Sequence, residues 1–332
     1  MLKQLPLPIL LPLLILGLLV SMVWSLSFGI AEIDFTRMLE ILLHPFTNNP
    51  TDPQSVIVWQ LRVPRMLLGV LAGFSLAVIG AALQALTRNP LADPYLFGIA
   101  SGASLGAVTA FLWLPGLIGI FTLPLFAFFG AMFALVLVLS LAGRQATTER
   151  LILSGVAGSF LLMAGANLLL YLGDPKATTS VIFWMMGGLE RARWIELWPP
   201  LITTVGGLFI LLWHAPQLNA LLLGEESAHT LGVKVKQLRW KLFTVTALMT
   251  ATIVSLCGAI GFVGLMIPHI TRVLCGSDNR RLLVCGGFIG GIFLLWVDVL
   301  ARKILAPQEL PLGIITAVIG SLFFIILMRR RS

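Results

Sequence analysis

Long runs without one charged side chain recur from end to end of this 332-residue chain, at 4–31, 66–87, 95–143, 151–173, 197–224, 242–271, 282–297 and 310–328. A helix rises 1.5 Å per residue, so about 20 apolar residues cross a bilayer core. A chain built from such runs has little surface to offer water. Only 11% of its residues are charged, 58% are hydrophobic, and mean hydropathy is +0.99. A soluble domain carries about 25% charged residues. That deficit excludes a cytosolic enzyme, a disordered chain and a secreted disulfide scaffold. No period-two alternation runs through the sequence, which excludes a β-barrel. The expected fold is an all-α polytopic membrane protein, one transmembrane domain over residues 1–332.

The number of crossings follows from charge. The 49-residue run 95–143 breaks at Pro115-Gly116 and makes two spans. The 30-residue run 242–271, with glycines at 258, 261 and 264, is too long for one span and short for two. Lys and Arg concentrate in cytoplasmic segments. Ten spans with both termini inside place fourteen of the 22 cations inside, among them Lys3, Arg88, Arg144, Arg150, Arg239 and Arg329 to Arg331. Nine spans would throw the C-terminal arginine cluster outside. Ten is therefore expected. The run 4–31 reads as a retained first span, because the apolar part of a secretory signal is only about 7–15 residues. The net charge of +8 is scattered between apolar runs, as topology requires, and does not indicate nucleic acid.

Chemistry is sparse. The four histidines lie in separate segments, the three cysteines have no metal-ligand spacing, and neither a Gly-x-Ser-x-Gly elbow nor a phosphate-binding Gly-x-x-x-x-Gly-Lys-Ser/Thr loop is present. ATP, if used, needs a partner's site. The polar groups inside spans, Gln84, Asn167 and His269, read as packing or interhelical hydrogen-bonding residues. Glycines recur in small-x-x-x-small spacing at Gly69/Gly73, Gly98/Gly102/Gly106 and Gly286/Gly287 with Gly290/Gly291, a sign of close helix crossings. One inner interval stands apart, LLLGEESAHTLGVKVKQLRWK at 221–241. Glu225, Glu226 and Ser227 suit the first turn of a short helix and Gly232 its end. The interval reads either as a docking element for another protein or as a solvated loop.

Motifs in order decide more than any one of them. They are LRVPR (61–65), RNPLADPYLFGIASGASLGA (88–107), WMMGGL (184–189), LNALLLGEESAHTLGV (218–233), GAIGFVGLMIPHITR (258–272), DVLAR (298–302) and ELPLGIITAVIG (309–320). Together they resemble the permease subunits of type II ABC importers for iron chelates and cobalamin, the FecCD family. The resemblance implies a homodimer of ten-helix subunits in a bacterial inner membrane, with the path along the two-fold axis. It implies two ATP-binding subunits inside, a substrate-binding protein outside, membrane lipid around the chain, and no nucleic acid. The chain itself would need no cofactor and would not be an enzyme, ATP and Mg belonging to the partner.

Three sites carry over from the resemblance. An ATPase-coupling element falls within 218–241, on Gly224, Glu225, Glu226, Ala228, Leu231 and Gly232. Binding-protein docking falls on Arg62, Arg65 and Arg302, whose forked donors suit carboxylates; anchoring of helix ends explains Arg65 nearly as well. A cytoplasmic gate falls on Asn89, Leu91 and Thr148, although Asn89 also suits a simple turn before Pro90. The expected cargo is a metal chelate, ferric siderophore first, haem second and cobalamin third. The rival reading is a secondary transporter driven by an ion gradient.

Overall fold

Each uncharged run is helical in the computed structural model, which describes residues 6–29, 31, 33–44, 52–143 and 148–329, and only the backbone of 148, 176 and 177. In chain order, α1 (Leu7–Ser25) precedes α2 (Phe35–Leu43) and a short α3 (Pro53–Val56). The latter runs through a π-helical stretch, Ile57–Arg62, into α4 (Val63–Thr87). Next come α5 (Ile99–Trp113), α6 (Thr122–Ala142), α7 (Thr148–Leu172) and α8 (Pro175–Met185). Then follow α9 (Trp198–Trp213), α10 (Ala215–Leu222), α11 (Glu225–Thr230) and α12 (Val235–Cys257). The chain closes with α13 (Val263–Cys275), α14 (Asn279–Lys303) and α15 (Leu312–Arg329). Among the described residues, eight segments are long and apolar enough to cross a membrane, and α5 and α13 are shorter apolar helices. A helix falls in each of the ten expected segments, eight of them long enough to cross by this measure.

Both ambiguous runs split. The first divides between Trp113 and Thr122, around Pro115-Gly116. The second divides between Cys257 and Val263, where Gly258 and Phe262 take positive φ of 65° and 67°. Phe262 is a non-glycine in the left-handed region, which is uncommon. Its ring is held against Gly320, whose missing side chain makes the room, and beside Phe324. Helices α2 and α8 lie outside the expected spans, and α10 is a separate short helix at the end of the run 197–224. An Asp34 cap on the Thr36 N–H starts α2, and Pro175 opens α8, as such residues do at helix starts.

The long segment Pro53–Thr87 is the axis of the molecule, with 78% of its most apolar stretch buried, against 17% for α1 and 22% for α15. Glycines let other helices reach it. A Cβ on Gly73 would collide with Gly290 O, and one on Gly80 with Gly264 O. The crossing of α5 on α6 is built the same way at Gly102 and Gly130. Backbones approach this closely only where neither side carries a side chain.

Contacts sort the helix ends into two groups. At one end of the bundle, the end of α1 meets the start of α4 and the end of α14, through Arg62, Arg65, Asp298 and Arg302. At the other, the end of α4 meets α12 through Arg239, and α10 meets the start of α14 through Asn219. The two groups fall on residues that charge assigns to opposite sides.

Candidate functional site

The interval 221–241 folds as an outlying helix. Gly224, at φ 118°, breaks the chain after α10, and α11 follows with Glu225 and Glu226 in its first turn, where carboxylates oppose the helix dipole. Its far end is a Schellman turn: Val233 N–H donates to Ala228 O at 2.9 Å and Gly232 N–H to His229 O at 2.9 Å, with Gly232 at φ 81°. Ala228 is fully buried while Leu231 is 64% exposed. The six candidate residues are thus brought together on one capped element, half seated and half presented.

Beside it lies a polar cleft of about 350 Å³, lined by Gly232, Lys234, Lys241, His214 and Gln217. His214 bridges two groups, its Nδ1 2.8 Å from Ile210 O and its Nε2 3.2 Å from Lys241 Nζ. No carboxylate lines the cleft, so it suits an acidic side chain.

Asn89 and Leu91 sit in the loop that follows α4. Asn89 Oδ1 accepts the Leu91 N–H at 2.9 Å, and Leu91 is 57% exposed. Thr148 begins α7, but its side chain lies outside the described residues, so its meeting with the other two is not on view. The same loop is pinned further along. Asp93 Oδ1 caps the turn at Pro94–Phe97 through the Tyr95 N–H, 2.8 Å. Tyr95 Oη accepts the Ile260 N–H at 2.8 Å. Leu96 O packs on Gly155 of α7, where a Cβ would strike it. Burial pushes the Asp93 carboxyl up to about 6, because its Oδ2 is enclosed without a partner among the described residues. The loop is therefore tied to α7 on one side and to the α12–α13 break on the other.

The three outer arginines are brought together too, but their donors face inward. Arg62 is 7% exposed and donates to Leu26 O at 2.6 Å and to Ala31 O. Arg302, 8% exposed, pairs with Asp298 at 2.9 Å and donates to Phe28 O. Arg65 pairs with the same Asp298 at 2.8 Å and with Glu309 at 2.8 Å. Arg62 and Arg302 thus close carbonyls at and after the end of α1 and tie that end to α4 and α14. Direct docking by either would require a buried guanidinium to leave its carbonyls.

Residues that sequence reasoning passed over include Asp93, Tyr95, Arg239 and Glu309. Tyr95 and Asp93 stood inside a quoted motif, so position there was their signal. Nothing in the sequence pairs Arg65 with Asp298, which is 233 residues away. Three other motifs turn out to meet. Gly188 N–H donates to Cys257 O at 2.9 Å, and the N–H groups of Leu312 and Gly313 donate to Gly187 O and Met186 O at 2.8 and 3.0 Å. Gly258 packs on Trp184 O, and Ala259 O lies against both Gly187 and Gly313, so the segments 184–189, 258–272 and 309–320 share one node.

This arrangement agrees with what the chain is similar to. Residues 17–330 match the FecCD transport family. The chain is 43% identical over 279 residues to the cobalamin import system permease protein BtuC of Halobacterium salinarum, covering 83% of this chain and 74% of that one. It is 35% identical over 325 residues to the hemin transport system permease protein HmuU of Yersinia pestis, covering 96% of both. A solved structure described as an inward-facing conformation of a putative metal-chelate type ABC transporter superposes with a TM-score of 0.85 at 32% identity, over 97% of this chain and 99% of that one. On the extent of the family match and these identities, the chain belongs to the FecCD transport family, the membrane-spanning permeases of ABC transporters.

Proposed function

We propose that the chain is one of two identical permease subunits of an inner-membrane importer that moves a metal chelate inward by alternating access. Two ATP-binding subunits, carrying ATP and Mg, dock on α11, and a substrate-binding protein delivers cargo outside. Both termini face the cytoplasm. The observation that carries this reading is α11. A six-residue helix fixed at both ends, with Leu231 presented and a cationic cleft beside it, is a rigid contact that nucleotide-driven closure can push.

A gradient-driven carrier would have little use for such an element. It also needs charged or polar groups free to couple ions, whereas Asp298 is held between two arginines. The gate is Asn89, Leu91 and Thr148. The outer rim is shaped by Arg62, Arg65 and Arg302, and an incoming carboxylate would compete with Glu309 for Arg65, since Glu309 is the more exposed of its two partners. Charge reversal at Arg65 is then expected to weaken docking in a salt-dependent way. Cargo is proposed at the level of a metal chelate, with ferric siderophore, haem and cobalamin as candidates. Relatives named for cobalamin and for hemin support that breadth.

Gentle detergent purification of the tagged chain, followed by mass spectrometry, tests the assignment. A stoichiometric ATPase and ATP-driven uptake in proteoliposomes are expected. A chain that purifies alone, and takes up cargo under an ion gradient without ATP, would overturn it.

A further inference from the structure

Helix α11 is joined to α12 by an ion pair, Glu225 Oε1 with Arg239 Nη2 at 2.6 Å. The same guanidinium reaches a third element. Arg239 Nε donates to Leu86 O at 3.4 Å. Leu86 lies in the last turn of α4, where carbonyls have no partner within the helix. Its neighbours are closed locally, Ala85 O by the Arg88 N–H and Gln84 O by the Asn89 N–H. The Leu86 carbonyl is taken by a side chain from α12. Three residues further along is Asn89, and five further is Leu91.

We propose that Arg239 is a positioning residue that carries the displacement of α11 to the cytoplasmic gate. This inference rests on α11 being the ATPase contact and 89–91 the gate, and adds the route between them. Its side chain is only 12% exposed, whereas that of Glu225 is 48% exposed. The outer partner therefore meets what docks, and the inner partner is confined by packing. A planar guanidinium with separate donors can hold a carboxylate and a carbonyl at once in fixed geometry; an ammonium cannot fix both directions. When α11 moves, Glu225 draws Arg239, and the end of α4 is released or pulled with it. The loop's other attachments, at Gly155 and Ile260, lie beyond residue 91, so motion entering at Leu86 bends the gate before it reaches them.

The test uses the intact complex with its ATPase and needs no cargo. Leu91→Cys places an exposed thiol at the gate, while Cys257, Cys275 and Cys285 are all buried. A water-soluble maleimide then reads gate accessibility with and without MgATP and vanadate. The labelling rate of the introduced thiol is expected to change with nucleotide in the Leu91→Cys parent. That change is expected to be lost when Arg239→Gln is added, with ATP hydrolysis retained, and to return only partly with Arg239→Lys. Because Arg239→Gln could disturb folding, Arg239→Lys supplies the second arm: it keeps a cation for Glu225 and loses the second fixed donor for Leu86 O. Loss of the nucleotide response with the ATPase still bound supports the route. A parent that responds together with either variant responding equally overturns the route and leaves the importer assignment standing. A parent with a bound, active ATPase and no nucleotide response of the gate thiol overturns the gate assignment and the route together.

Discussion

At the scale of single residues, two buried acids carry opposite consequences. Asp93 lies between α4 and α5, and burial holds its carboxyl near 6, opposed only by the Tyr95 N–H. Between the unfolded value near 3.8 and about 6, the unfolded chain ionises while the folded one keeps its proton. Stability is therefore fully present below the unfolded value, falls as pH rises through that window by about 3 kcal/mol, and is flat above it. Asp93→Asn keeps the cap oxygen and is expected to abolish the slope, read as thermal unfolding against pH in detergent; an unchanged slope would place the titration elsewhere. Asp298, 1% exposed, answers two arginines at once. Asp298→Asn leaves both without their shared counter-charge and is expected to cost about 3–5 kcal/mol. The corresponding check is a fall in the melting temperature with a loosened end to α1, visible as faster proteolysis near residues 26–31.

At the scale of elements, the helices were legible where polarity changes abruptly. Runs bounded by charge gave the spans, and glycine or proline marked where two long runs divide. Helices α2, α8 and α10 were not legible, since each is short, mixes polar with apolar residues, and owes its ends to caps and neighbours rather than to a change of solvent. Glycine spacing showed Gly73 and Gly290 as crossing residues without saying that they cross each other. It passed over Gly80 and Gly264, whose partners lie in helices far apart in sequence. The crossings make a sharp prediction. Gly73→Ala or Gly290→Ala drives a methyl into backbone and is expected to cost about 1–3 kcal/mol, as overpacking does. Gly206→Ala in α9 meets nothing within 4 Å and is expected to be neutral or stabilising by up to about 1 kcal/mol. Parallel melts of the variants would separate crossing glycines from spacer glycines. Helix α11 was readable because its end signals are local, Gly224 before it, Glu225 and Glu226 in its first turn and Gly232 after it. The fate of the outer arginines was not, because their carbonyl and carboxylate partners are set by tertiary structure alone.

At the scale of the whole molecule, two contact surfaces lie at opposite ends of one bundle. Gly232→Val tests the inner one without touching the spans. A Cβ there meets open space, so the obstacle is backbone alone, φ at 81°. Strain of about 1–3 kcal/mol at the end of α11 is expected to weaken ATPase association by about tenfold or more. Co-purification yield, read beside the melting temperature of the permease alone to separate lost docking from lost stability, checks it. Between the two surfaces runs the 35-residue segment Pro53–Thr87, bearing Arg62 and Arg65 near one end and Leu86 at the other. At 1.5 Å per residue it is about 52 Å long, nearly twice the thickness of a bilayer core. Buried over most of that length and crossed tightly near its middle at Gly73 and Gly80, it has the form of a lever on a fulcrum. A tilt of about 5° would swing each tip by roughly 2 Å in opposite directions, enough to make or break a hydrogen bond at the Leu86 carbonyl. Under the proposed function, delivery outside and opening inside would fall to the two ends of this one segment.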